Sequence, residues 1–196
     1  MSAAQDVVHG AWTRRSASVS GSEHFETHHV IWLQAGTCYA DIRVPFCVGA
    51  VARCFTGRSG WDGDRYRWRR HLDLEPVPGE DVGDLSWVGG ALVERGMFPT
   101  PKGEVPYEEV WVHMTRSEGL FIALEAPAAC LVRTGHHAIT VVDGRPGGGD
   151  LAAAYRFLGA SGWALAHAFG GGAASLPGPD DDVDWPVIHC GTTEPE

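Results

Sequence analysis

Apolar and polar residues alternate with period two along most of the chain, and turn-forming residues break the alternation at short intervals. "GAWTRRSASV" is the first such run. "HVIWLQAG" and "CYADIRVP" predict a hairpin across Ala35-Gly36. "RYRWRRHLDLEP" alternates cleanly, with Tyr66, Trp68, Arg70 and Leu72 on one face and Arg67, Arg69, His71 and Asp73 on the other. "GDLSWVGG" and "ALVERGMF" predict a second hairpin around Gly89-Gly90. "YEEVWVHMT", "GLFIALEAP", "ACLVRTG", "HAITVVDG", "GWALAHAFGGG" and "DWPVIHCGTT" supply further strands. "VGAVARCFTG" fits a short helix or a strand, and "GRSGWDGD" reads as a turn cluster.

One segment departs from the period. "DLAAAYRFL" is rich in Ala and Leu behind Asp150, a residue type suited to a helix N-cap, so a short helix is expected at 151–158. "GGGAASLPGPDDDVD" has the composition of a mobile loop. No internal repeat or composition step divides the chain. The expectation is one all-β domain over 7–195 behind a short tail at 1–6: an antiparallel barrel of about 8–10 strands with one short helix. Closure into a barrel removes the exposed edges that a sandwich must protect, and 8 tryptophans suggest an interior with something to line.

Charge and cysteine content narrow the partners. A formal charge of −10, from 25 acids against 15 bases, argues against nucleic acid and against an anionic membrane surface. The basic cluster "RYRWRRH", interleaved with aromatics, resembles a single-strand groove but is expected to be a solvated strand face. Five cysteines without a C-x-x-C pair fit neither a disulfide framework nor a structural zinc site, and are read as small buried apolar groups. With no basic-then-apolar leader and no run long enough to span a bilayer, the expected location is cytoplasmic. A homodimer is compatible with this reading.

Gly10-Ala11-Trp12 at the start of the first strand resembles the G-x-W signature of the calycin barrels, which include lipocalins and fatty-acid-binding proteins. The ordered succession "VIWLQAGTCYADIRVP", "WDGDRYRWRRHLDL", "DVGDLSWVGGALVERG", "YEEVWVHM" and "DWPVIHCGTTEP" is similar to lipocalin-like proteins of the HRI1 type, a group with no established reaction. The resemblance implies a calycin-type barrel and no particular substrate. The haem-binding nitrobindin barrels also open with G-x-W, but their Gly-rich continuation is replaced here by "WTRRSASV". No haem, flavin or tightly bound metal is therefore expected.

The candidate chemistry lies where charges interrupt apolar strands. Trp32 and Gln34 share a face, as do Tyr39, Asp41 and Arg43. Two placements are open. Asp41 and Arg43 can face water, where such a pair contributes about 0.2–1 kcal/mol. They can instead face the interior with Trp32, Gln34 and Tyr39, where breaking the pair costs on the order of 3–5 kcal/mol. Tyr107, Glu109, Trp111 and His113 share a face of a later strand, and a glutamate in an apolar wall is a candidate acid or base.

Candidate catalytic residues are thus Arg43, Asp41 and Glu109; candidate ligand contacts are Trp32, Gln34, Tyr39, Trp68, Trp111 and His113. His24, Glu26 and His28 lie two apart, but a strained trio without a fourth ligand makes a poor metal site. The expected activity is that of a small-molecule-binding barrel acting as a cofactor-free isomerase, cyclase or dehydratase on an apolar or aromatic intermediate. The alternative is a non-catalytic carrier of a small hydrophobic ligand. A strongly perturbed acid or base in the wall would favour the enzyme.

Overall fold

The computed structural model describes residues 8–24, 26–76 and 81–193. The tail at 1–6 and the expected domain limits, Val7 and Pro195, lie outside them. In the first half the strands are β1 (Gly10–Val19), β2 (Ser22–His24), β3 (His28–Ala35), β4 (Cys38–Pro45), β5 (Arg53–Asp62), β6 (Arg65–Asp73), β7 (Asp81–Val88), β8 (Ala91–Thr100) and β9 (Gly103–His113). Hairpin follows hairpin in the order β1-β3-β4-β5-β6-β7-β8-β9, and β9 pairs back onto β1, closing an antiparallel barrel of eight strands. β2 folds back along the end of β1. The all-β antiparallel barrel expected from the alternation, of the calycin-like kind that the resemblance implies, is thus observed. Gly89 and Gly90 form the β7–β8 turn, both at positive φ.

The second half makes another sheet: β10 (Gly119–Ala126), β11 (Ala129–Thr134), β12 (His137–Asp143), β13 (Leu151–Gly159), β14 (Gly162–Phe169) and β15 (Val187–Thr193), in the order β14-β13-β12-β11-β10-β15. Its inner face carries Ala123, Cys130, Val132, Ile139, Val141, Ala153 and Tyr155, which pack on the outer wall of the barrel, chiefly on β3 and β4. Its outer face is covered in turn. Thr140 Oγ1 donates to the Pro177 carbonyl at 2.8 Å, and Arg156 Nη2 donates to the Leu176 carbonyl at 2.5 Å. The Gly/Pro/Asp-rich segment, whose composition suggests a mobile loop, is tied to the sheet by these bonds.

The helix expected at 151–158 is instead β13. This stretch hydrogen-bonds to β12 on one side and β14 on the other. Alanine's helix preference amounts to tenths of a kcal/mol per residue. Here Ala152, Ala153 and Ala154 are all buried, their small side chains letting the sheet lie close to the barrel and to the covering strap. Among the described residues, helix is confined to two single 3-10 turns, Arg145–Gly147 and Ala173–Ser175. "GRSGWD" is likewise strand: β5 continues to Asp62, and only Gly63 and Asp64 turn. No helix among the described residues is long and apolar enough to cross a membrane.

Two bulges re-aim side chains that simple alternation assigns otherwise. In β1, partners step from Arg14↔Trp111 to Ser16↔Val110, so Arg15 is the extra residue and lies exposed. In β6, they step from Leu72↔Thr56 to Arg70↔Gly57, with His71 extra. Beyond that bulge the faces exchange. Leu72, expected beside Arg70, joins the outer core, while Asp73 turns to meet Arg70.

Gly57 makes the second bulge possible. A β-carbon there would lie 2.0 Å from the backbone oxygen of Arg69. Gly57→Ala should lower stability by about 1–3 kcal/mol or more, displacing the thermal midpoint by roughly 2–4 °C per kcal/mol. Gly60→Ala on the same strand, where a β-carbon meets nothing within 4 Å, should melt close to the parent. Differential scanning calorimetry of the two variants checks the pair.

Candidate functional site

The β3–β4 register sets Gln34 opposite Tyr39, Trp32 opposite Asp41 and Val30 opposite Arg43. All six point into the barrel, so the inward placement is the one adopted. The other face of the same hairpin, with Ile31, Leu33, Ala40 and Ile42, lies under the second sheet.

The middle of the barrel is filled by rings. Trp12 and Trp32 stack with centroids 5.9 Å apart; Trp68 and Trp111 meet Trp32 edge-on at 5.9 and 5.4 Å. At the turn end of the hairpin, Trp32 Nε1 donates to Gln34 Oε1 at 3.2 Å and Ser59 Oγ donates to the same oxygen at 2.9 Å. Gln34 Nε2 donates onward to the Gly36 carbonyl at 2.7 Å. Its amide is thus consumed in holding the wall. His113 lies at this end, exposed, its ring centroid 3.7 Å from that of Trp12.

Charges gather at the opposite end. Arg43 Nε donates to Asp41 Oδ1 at 3.0 Å. Arg14 Nε donates to Glu26 Oε2 at 2.8 Å, and its Nη1 to Glu109 Oε1 at 2.5 Å. Arg70 donates to Asp73 at 2.9 Å and to Asp81 at 2.8 Å. The guanidiniums of Arg43 and Arg70 lie 5.0 and 4.0 Å from the Phe55 ring centroid, within cation–π range. The Asp41 side chain is 5% exposed and that of Arg43 22%, so the acid is enclosed and the guanidinium reaches the mouth. Burial opposes the charge on Arg43, but Asp41 and Glu109 outweigh it and hold the guanidinium's pKa above its ordinary value. The Tyr39 hydroxyl is buried without a hydrogen-bond partner among the described residues, and burial holds its proton on well above the usual phenol range.

The most displaced acid here is Glu94 on β8, which the spacing argument passed over. It faces Glu109 directly across the ladder. Tyr107 Oη donates to its Oε1 at 2.6 Å and Trp111 Nε1 to its Oε2 at 3.1 Å. Burial first, then the charges of Glu109 and Asp81, push its pKa well above 4.5. The local sequence builds this seat. A β-carbon on Gly96 would strike the Tyr107 ring at 2.6 Å, so only glycine lets that ring lie across the strand and reach Glu94. The readable signal was Leu92, Glu94 and Gly96 on one face of "ALVERG": an acid on the apolar face of a strand.

The tertiary structure therefore brings Arg43, Asp41 and Glu109 to one end and adds Arg14, Arg70, Tyr107 and Glu94 to them. Trp32, Trp68 and Trp111 form the packed middle; Gln34 and His113 sit at the far end. Of the trio considered for metal, Glu26 pairs with Arg14 and His28 bonds to Thr27 and the Val51 carbonyl; the His24 side chain lies outside the described residues. The thiols of Cys38 and Cys130 are pushed up by burial to about 11 and about 12, consistent with packing roles.

No family model matches the chain, and no curated protein matches it. Its fold is similar to that of a solved structure, the uncharacterised protein YLR301w of Saccharomyces cerevisiae, with a TM-score of 0.74 at 14% identity. The likeness covers 93% of this chain and 99% of the yeast chain. At that identity it shows a shared fold.

A carboxyl whose pKa is higher folded than unfolded takes up a proton on folding once the pH exceeds the unfolded value. The stability it carries is complete below pH 4.5 and is lost as the pH rises toward the folded value. Glu94→Gln keeps the shape and removes the titration. The stability of the variant relative to the parent should therefore climb as the pH rises above about 4.5, by at most about 1.4 kcal/mol per unit. Urea denaturation at several pH values measures this. A difference that stays flat would mean that Glu94 is charged in the fold.

Proposed function

We propose that this chain is a small-molecule-binding barrel whose charged end carries out cofactor-free acid–base chemistry on an apolar or aromatic intermediate. Isomerisation, cyclisation and dehydration are the reaction types that such a set of groups serves. The observation that carries the reading is Glu94, a buried carboxyl with a raised pKa that accepts from Tyr107 and Trp111 beside paired arginines. A neutral acid can hand over a proton, and an arginine that stays charged at any working pH can hold the oxyanion that develops. In this scheme Arg43 anchors the substrate's oxygen at the mouth, and Asp41 fixes its rotamer. Glu109 holds Arg14 and, by its charge, raises the pKa of Glu94. The tryptophan-filled middle forms a dry floor that orients the substrate.

A carrier is the second reading. What favours it is that Asp41, Glu109, Asp73 and Asp81 are already engaged by arginines, which leaves few groups free for chemistry. Membership of the HRI1-type group is also proposed here. It is supported by the order of the sequence motifs and is compatible with the barrel fold.

Native mass spectrometry of the protein after exposure to a cellular metabolite extract tests the function. The parent should retain a small molecule that Arg43→Ala loses while remaining folded. Glu94→Gln should retain it but return it unconverted when the released compound is compared by NMR. Identical binding by the parent and Arg43→Ala would remove this end of the barrel as the working site. Identical compounds recovered from the parent and Glu94→Gln would favour the carrier.

A further inference from the structure

Six arginines, Arg53, Arg58, Arg65, Arg67, Arg69 and Arg70, lie between positions 53 and 70 of a chain whose formal charge is −10. Arg70 turns into the barrel. Arg58, Arg67 and Arg69 instead line a cleft of about 510 Å³ beside the β5–β6 ladder, together with Thr37, Trp61 and Asp62. This volume is within the range of small-ligand sites.

The ladder itself is unfavourable as it stands. Arg58 and Arg69 are direct cross-strand partners, and like charges placed so destabilise a sheet. Arg67 adds a third guanidinium two pairs along on the same face, opposite Gly60. Gly60 answers no need of the fold: a β-carbon there would meet nothing within 4 Å, and its φ lies outside the left-handed region. A strand glycine of this kind leaves bare backbone where another group can approach closely.

Two of the arginines are also held from behind. Arg67 pairs with Asp62 at 2.9 Å. Arg58 pairs with Glu125, whose other oxygen lies 3.1 Å from His71 Nδ1. Their rotamers are set before anything binds, which lowers the ordering cost of recognition. Among the described residues, Arg58 faces Glu125 and Arg67 faces Asp62, while Arg69 lies directly across the ladder from Arg58.

We propose that this cleft binds a small molecule joining a flat aromatic ring to a phosphate or carboxylate. Arg58 and Arg69 take the anionic group, since a planar guanidinium matches it with paired hydrogen bonds. The ring lies over the bare backbone at Gly60, against the face of Arg67, while Trp61 on the next position turns into the barrel onto Tyr66. This site is on the outer side of the β5–β6 ladder and does not depend on the chemistry proposed for the barrel interior.

1-Naphthyl phosphate is a direct probe, with inorganic phosphate and 1-naphthol as its two halves. Titration followed by backbone amide NMR should give saturable shifts at Thr37, Arg58–Asp62 and Arg67–Arg69, with a dissociation constant below about 1 mM. Each half should bind at least roughly tenfold more weakly. Arg69→Gln should weaken the probe roughly tenfold. Gly60→Val should abolish binding while melting like the parent, because the new side chain occupies the cleft and touches nothing else.

No saturable shift, shifts confined to the Arg43 end of the barrel, or unchanged binding by Gly60→Val would overturn the proposal. So would a short oligothymidylate that binds the same residues far more tightly than the probe, since the occupant would then be a single strand of nucleic acid.

Discussion

The β3–β4 hairpin is buried on both of its faces, and the rest of the molecule is arranged around that fact. One face closes the barrel interior with Trp32, Gln34, Tyr39, Asp41 and Arg43. The other, with Ile31, Leu33, Ala40 and Ile42, is the floor on which the second sheet lies. A strand pair covered on both sides cannot shift register by one residue. The shift would drive Asp41 and Arg43 into an apolar interface and Ile42 into the charged mouth. The polar groups in this stretch therefore act as a register lock whatever further chemistry they perform.

The charged end of the barrel follows from an imbalance. Arg14, Arg43 and Arg70 are each committed to carboxylates: Glu26 and Glu109, Asp41, and Asp73 and Asp81. No guanidinium remains for Glu94, which instead receives neutral donors from Tyr107 and Trp111. Ionising it would place another negative charge beside Glu109 and Asp81 in a site with little water to screen them. Its pKa is held above the ordinary carboxyl value as a consequence of how the barrel's arginines are shared out. The outer cleft instead sets two guanidiniums, Arg58 and Arg69, side by side across a ladder.

Much of the architecture was legible in the chain because alternation is a local property. Period two marks a strand whatever it packs against, and Gly89-Gly90 marks a tight turn. Trp32, Tyr39, Asp41, Arg43, Glu109 and Trp111 could be grouped by face for the same reason. The direction in which each face pointed was not local. Only closure of β9 onto β1 defined an inside, and only the second sheet made the outer face of the hairpin a core as well.

The features the sequence concealed all arise from contacts between distant segments. Ala152–Ala154 carry a helical preference that the ladders to β12 and β14 override, since hydrogen bonds on both sides outweigh tenths of a kcal/mol. Bulges at Arg15 and His71 displace alternation by one residue, and so the face of Leu72 and Asp73 could not be counted along β6. Glu94 is an ordinary glutamate until Gly96 admits the Tyr107 ring and β9 brings Glu109 across from it. The sequence by itself determined which segments are strands and which side chains travel together along each of them. The tertiary structure alone decided which of those faces is interior, and which acid is thereby left without an arginine, because burial and pairing belong to the assembled sheets and not to any one strand.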